Sequence, residues 1–348
     1  MKKPNFYKQE ISDYCKKFLT QKKYGDFAPL LEEIFQRRAY AFGFDNSHIL
    51  DEIIDFSNNI EKIYLKKEHP KRKTALGCCF HKEKKIEIYE KGVLNEYGEM
   101  DEESYHMLFE TLTHEVYHGI SGRNNSLIRW DDKEQYEKNI AMNEVWVESA
   151  ANRTARSTDY EDFRNYRAKT DGYSSITFVS NLLSAAIGMT EKSILKIGIQ
   201  GGCKNADLFQ GIDSQYFESR DYAAGYLENV MFNLDVVYNI LYNNKNGKNL
   251  SREEKTIFKV NLSELYRNMY SLAISRNDDD RDILSATEKM KFRYNKMDKI
   301  INDSLQRFIK DGRLSGGDLY EITKQFKEEK EIFKNQVIAI NRFEKKRK

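Results

Sequence analysis

After Pro70 the chain of 348 residues contains no further proline, and only Pro4 and Pro29 precede it. Proline removes an amide donor and clashes with the turn before it, so its absence leaves long stretches free to be helical. The N-terminal region, residues 1–73, reads as helices over Asn5 to Leu19, Pro29 to Ala41 and Ser47 to Lys66, closed by Pro70 in a charged run. Far downstream, Ile176 to Ile187 and Lys192 to Ile199 read as short buried helices, the second capped by Thr190. Gly201-Gly202 marks a turn. Tyr222 to Leu241 continues the pattern as far as the polar loop Asn243 to Gly247, after which Ser251 and Glu254 form a capping box. Asp318 and Glu321, following Gly316-Gly317, are expected to open the last helical stretch. From Phe326 to Phe343 that stretch carries Phe326, Ile332, Phe333, Val337 and Ile340 at helical spacing, which suits packing or a partner-binding helix. One segment departs from the helical pattern. Thr74 to Phe80 and Ile86 to Glu90, joined by the polar His81 to Lys85, predict a β-hairpin with one buried face. The expected fold is α+β, predominantly α, with a core over residues 74–245 and a helical C-terminal extension over 246–348.

Within the core, His114-Glu115-Val116-Tyr117-His118 carries the clearest chemistry. Asp101 can cap a helix whose first turn, Glu102 and Glu103, is acidic and so matches the positive end of the helix dipole. Leu108, Leu112 and Val116 form a core-facing stripe, and Met107, Thr111, His114 and His118 line the one beside it. Two imidazoles one turn apart then face the same way with a carboxylate next to them, an arrangement suited to zinc with its own general base. Gly119 and Gly122 stand where a stop or bend is expected.

A catalytic zinc takes three protein ligands and keeps a position for water. No histidine follows His118, so the third ligand is sought among downstream carboxylates. Glu144 and Glu148 lie four apart in a helical pattern running from about Lys133 to Arg156. Two carboxylates on one apolar-flanked face repel each other when buried, and a cation between them and the histidines removes that cost. Pairing with Lys138 or Arg153 on an exposed edge is the plainer alternative.

The HExxH run followed by Asn143-Glu144 and an acid one turn on resembles the gluzincin metallopeptidases, the thermolysin-like branch of the zincins. The resemblance covers about residues 74 to 160. It implies a zincin core, Zn2+ held by His114, His118 and Glu144, Glu148 orienting a ligating histidine, and Glu115 as base. Ala151-Asn152 also looks like the ligand helix of the small gluzincins related to the ImmA/IrrE peptidases, a register in which Glu148 would be the ligand. The metzincin continuation is absent, since Ser121 and Asn124 replace its Gly and His.

These residues predict peptide hydrolysis by a zinc-activated water, with Glu115 taking the proton and returning it to the leaving amine. The oxyanion needs a further donor, for which Tyr117, Arg153, Tyr160, Tyr173, Tyr222 and Tyr226 are eligible. Tyr173, in the loop-like Asp171 to Ser175, is preferred. The hairpin before the helix offers an edge on which an extended substrate peptide can add. The alternatives are a zinc hydrolase acting on a non-peptide amide, and a zincin scaffold kept for binding.

Four cysteines without CxxC spacing, Cys15, Cys78, Cys79 and Cys203, fit reduced thiols of a reducing compartment. The first residues carry no apolar signal-like run and no stretch reaches transmembrane length, so a cytoplasmic location and no membrane partner are expected. A net charge of +2 supplies no general drive toward nucleic acid, and Lys71-Arg72-Lys73 and Lys345 to Lys348 read as solvated. The expected partner is a peptide or protein substrate, with the C-terminal helices as a surface for a regulatory protein.

Overall fold

A computed structural model describes residues 5–71, 75–95, 97–121, 140–157, 176–196, 220–244, 250–276 and 283–347. The chain is predominantly helical with one small sheet. It divides into two units, Met1–Arg129 with Val147–Lys169, and Trp130–Trp146 with Thr170–Lys348. The division falls inside a single continuous helix, Ile140–Ala155.

In the first unit, helices α1 (Asn5–Phe18), α2 (Gln21–Tyr24), α3 (Ala28–Phe42) and α4 (Asn46–Asn59) precede strands β1 (Lys62–Lys66), β2 (Gly77–Phe80) and β3 (Lys85–Tyr89). A single turn, α5 (Glu90–Val93), then leads to α6 (Glu102–Ser121). Ile34 and Phe35 of α3, Ile53 and Phe56 of α4, and Phe109, Leu112 and Val116 of α6 are all buried in one core. Helix α6 packs on α4 on one side and on β2 and β3 on another, so the sheet lies directly against the helix bearing the histidines.

The predicted hairpin forms. β2 and β3 pair antiparallel with Cys79 opposite Ile86, and the turn between them closes through the Lys84 amide on the His81 carbonyl. Lys84 takes the left-handed conformation, φ 49°, that such a turn demands. A third strand was not expected. The predicted helix Ser47 to Lys66 ends at Asn59, and Lys62–Lys66 instead pairs parallel to β3 in the order β1-β3-β2. Asn58-Asn59 is a stop signal, and the buried Tyr24 hydroxyl fixes the exit by donating to the Ile60 carbonyl at 2.7 Å.

Gly119 also departs from expectation, since α6 runs through it to Ser121. A Cβ there would sit 2.8 Å from the Phe56 ring and 3.0 Å from Ile60 Cγ1. The glycine thus serves close packing of α4 on α6, and Gly122, the other position of the expected stop, lies outside the described residues.

The Ile140–Ala155 helix is α7. The second unit continues with α8 (Phe178–Ile187), a short helical segment 191–196, α9 (Arg220–Asn243), α10 (Arg252–Ile274), α11 (Ile283–Lys310), α12 (Gly316–Gln325) and α13 (Lys327–Arg347). The Thr190 hydroxyl caps 191–196 by accepting from the Ser193 amide, and Ser251 and Glu254 make the expected capping box of α10. The last stretch begins differently from its prediction. Ser315 is the N-cap, Asp318 is its capping-box partner, and Phe326 separates two helices, α12 and α13. Helix α10 packs against α8, α9, α12 and α13. Tyr270 of α10 stacks on Phe326 at 5.9 Å and meets Phe333 edge-on, so these two aromatic residues of the last stretch are core, while Ile332 is exposed. Among the described residues no helix is long and apolar enough to cross a membrane.

Candidate metal centre

Helix α6 starts where the sequence predicts, with Asp101 Oδ1 accepting from the Ser104 amide at 2.8 Å. Its apolar stripe, Leu108, Leu112 and Val116, is buried, and that anchoring turns the neighbouring face of His114 and His118 toward α7. The two imidazoles meet edge to face, and their Nε2 atoms are 3.0 Å apart. From α7, Glu144 joins them, the three ligand atoms lying within 4.8 Å of one another.

Glu148, one turn beyond Glu144, does something else. The His114 Nδ1–H donates to Glu148 Oε2 at 2.8 Å, and the Asn152 amide donates to the other carboxylate oxygen, Oε1, at 3.3 Å. Holding the proton on Nδ1 leaves the Nε2 lone pair as the donor side of the ring. The structure thus brings His114, His118 and Glu144 into one cluster and sets Glu148 behind the first histidine. Two imidazole nitrogens and a carboxylate are the donor set of catalytic zinc sites, and two nitrogens on one tetrahedral zinc at 2.0–2.1 Å would stand about 3.3 Å apart. The donor types therefore suit the ion and the imidazole nitrogens stand near the spacing it requires, while the cluster as a whole, within 4.8 Å, would draw together to close on it.

Glu115 is buried on the sheet side of α6. β2 reaches it through Gly77, where a Cβ would lie 2.8 Å from Glu115 Oε1 and 2.9 Å from Thr111 Cγ2. Only a residue without a side chain lets the strand backbone approach the carboxylate so closely. The neighbouring Cys79 thiol is held well above its usual pKa by burial and by the Glu115 charge, so it stays protonated and unreactive at neutral pH.

Two further carboxyls near these helices were missed in the sequence. Glu110, one turn before His114, is pushed up to about 7 by burial, with Glu148 adding to the effect and Arg156 opposing it. Its Oε1 accepts no hydrogen bond among the described residues. Asp235 of α9 accepts from the Ala141 amide at 2.8 Å and so caps the start of α7. Burial pushes Asp235 up to about 7, against that hydrogen bond. Glu110 stands four residues before His114, a spacing that puts it on the same helical face, whereas nothing in the local sequence ties Asp235 to residue 141.

Of the proposed oxyanion donors, Tyr117 is fully buried with its hydroxyl 2.7 Å from Thr154 Oγ1. Arg153 Nε donates to the Ala41 carbonyl at 3.4 Å, and its guanidinium lies near the Phe42 ring. Both side chains are engaged within the scaffold. Tyr160, Tyr173 and the Tyr222 side chain lie outside the described residues. No protein-family model matches the chain, and neither a curated protein nor a solved structure matches it.

Proposed function

We propose that the protein is a zinc-dependent metallopeptidase with a gluzincin-like centre, in which His114, His118 and Glu144 hold the ion. The observation that carries this reading is the convergence of these three residues, with Glu148 on the Nδ1 of His114 and Glu115 in the next helical position. A structural zinc site closes its fourth position with protein and has no use for an adjacent unliganded carboxylate. When bound, zinc would acidify a water and polarise a scissile carbonyl.

The remaining work falls to the chain. Glu115 accepts the proton of the attacking water and later delivers it to the departing amine. Glu148 keeps His114 in the ligating tautomer. Among the described residues β2 is the edge strand of the sheet, with β3 on one side, and its Gly77 packs over Glu115. An extended peptide adding there would lie with its backbone next to the base.

The reading is tested by zinc content and cleavage of a peptide library for the wild type, Glu115→Gln and Glu144→Ala. About one zinc per chain, kept in Glu115→Gln without cleavage and reduced in Glu144→Ala, is expected. A wild-type chain that takes up no zinc after reconstitution overturns it.

A further inference from the structure

Two consecutive arginines of α3 reach the two helices that carry the cluster. Arg38 is fully buried. Its guanidinium forks onto both carboxylate oxygens of Glu52 in α4 and lies 4.2 Å from the centre of the Tyr117 ring. Burial opposes the charge on Arg38, but Glu52 more than restores it, and Arg38 in turn holds the Glu52 carboxyl below the usual carboxylate range. His48 Nε2 stands 3.1 Å from Glu52 and completes the group. Arg37, the next residue back, points elsewhere. Its Nη1 donates to the Ala155 carbonyl at 2.6 Å, at the C-terminal end of α7, where orphan carbonyls need a donor.

Tyr117 is the residue directly before His118, and Thr154 lies two turns or so beyond Glu148 on α7. Their hydroxyls meet at 2.7 Å in a fully buried setting. This contact joins the histidine helix to the glutamate helix with no ligand involved. The flat guanidinium of Arg38 packed on the ring fixes where the tyrosine hydroxyl can be.

We propose that Tyr117 and Thr154, braced by Arg38 and Arg37, are positioning residues that set the separation of the two ligand helices and so the affinity of the metal centre. The inference rests on the metal-site reading above and gives it a scaffold outside the HExxH helix. A metal site tolerates small errors in ligand placement poorly, and partners behind the ligands commonly carry a 10- to 100-fold share of affinity. Tyr117→Phe keeps the ring on Arg38 but removes the hydroxyl, which also interacts with the Arg38 guanidinium, and with it the link. Thr154→Val removes it from the other end with nearly the same volume, and Thr154→Ser restores a hydroxyl.

Zinc affinity of the full chain, by competition with a chromophoric chelator, is measured for wild type and these three variants. Thermal melts of the metal-free and zinc-loaded forms accompany it. The expected result is a zinc Kd weakened by about 10-fold in Tyr117→Phe and Thr154→Val and near wild type in Thr154→Ser. The gap between metal-free and zinc-loaded melting temperatures should narrow in the first two variants only. Equal loss of melting temperature in both forms with unchanged zinc Kd would overturn the proposal and leave a plain structural bond. If Tyr117→Phe does not fold, Thr154→Val carries the comparison. Absence of zinc binding by the wild type is a separate result that removes the metal reading itself.

Discussion

The Nδ1 of His114 donates to Oε2 of Glu148 across 2.8 Å, from one helix to another. Glu144, one turn away on the same helix as Glu148, points into the histidine pair instead. Two acidic residues one helical turn apart are therefore given different contacts.

Substitution separates the two. Glu144→Ala removes a donor of the cluster and should abolish tight zinc binding, whereas Glu148→Ala should weaken it by roughly 10- to 100-fold and leave the ion in place. Zinc titration of both variants decides it. Abolition in Glu148→Ala with little change in Glu144→Ala would reverse the assignment.

Gly77→Ala drives a methyl group against the Glu115 carboxylate. Since Thr111 closes the other side, the carboxylate or the strand has to move. Small displacements of catalytic groups cost rate steeply, and kcat for peptide cleavage should fall by about 10- to 100-fold. Zinc content should stay at the wild-type level. An unchanged kcat would mean that β2 does not position the base.

Glu110 gives a pH-dependent signature. Its folded pKa is raised to about 7, chiefly by burial, so above the ordinary carboxylate range the unfolded chain ionises while the folded one keeps its proton. Stability then falls as pH rises toward about 7 and the loss is complete above it, amounting to no more than about 3 kcal/mol. Glu110→Gln should be more stable than wild type at pH 8 and nearly equal to it at pH 4. Urea melts at the two pH values provide the comparison, and a gain of the same size at both would show that ionisation of Glu110 is not the cause.

The Arg38–Glu52 pair has the opposite sign. Glu52 is held below the usual carboxylate range despite its burial. Its stabilising contribution is therefore present above that range and is lost as pH falls through the depressed folded value. Glu52→Gln leaves a buried guanidinium without its counter-charge, which typically costs 3–5 kcal/mol. Denaturant melts at neutral pH should register a loss of that order, shrinking in acid as the wild type loses the same charge. A neutral substitution would mean that water or another group relieves Arg38.

The elements that were legible in the sequence are those whose cause is local. Asp101 caps α6 because its side chain can reach an amide three residues on, and Leu108, Leu112 and Val116 mark the buried face through spacing alone. Ser251 with Glu254, and Thr190 with Ser193, follow the same rule. Lys62–Lys66 was misread because Ile63 and Leu65 fit a helical run as well as a strand, and the deciding ladder comes from β3, twenty residues or so later. Asn58-Asn59 was the available clue. Arg38, Glu52, Tyr117 and Thr154 could not be assembled from spacing, since each lies on a different helix and only packing brings them together. Within the candidate site, the tasks of Glu144 and Glu148 were open on spacing alone, and the hydrogen bond on His114 Nδ1 is what distinguishes them.

Gly119 has a bearing on how such a chain can drift over generations. The space that a methyl group would need is already filled by the ring of Phe56. A lineage that replaces this glycine must first shrink residue 56, so the two positions are expected to change together or stay as they are. Among distant descendants of this sequence, a smaller side chain at 56 would then accompany every loss of the glycine that follows the second histidine.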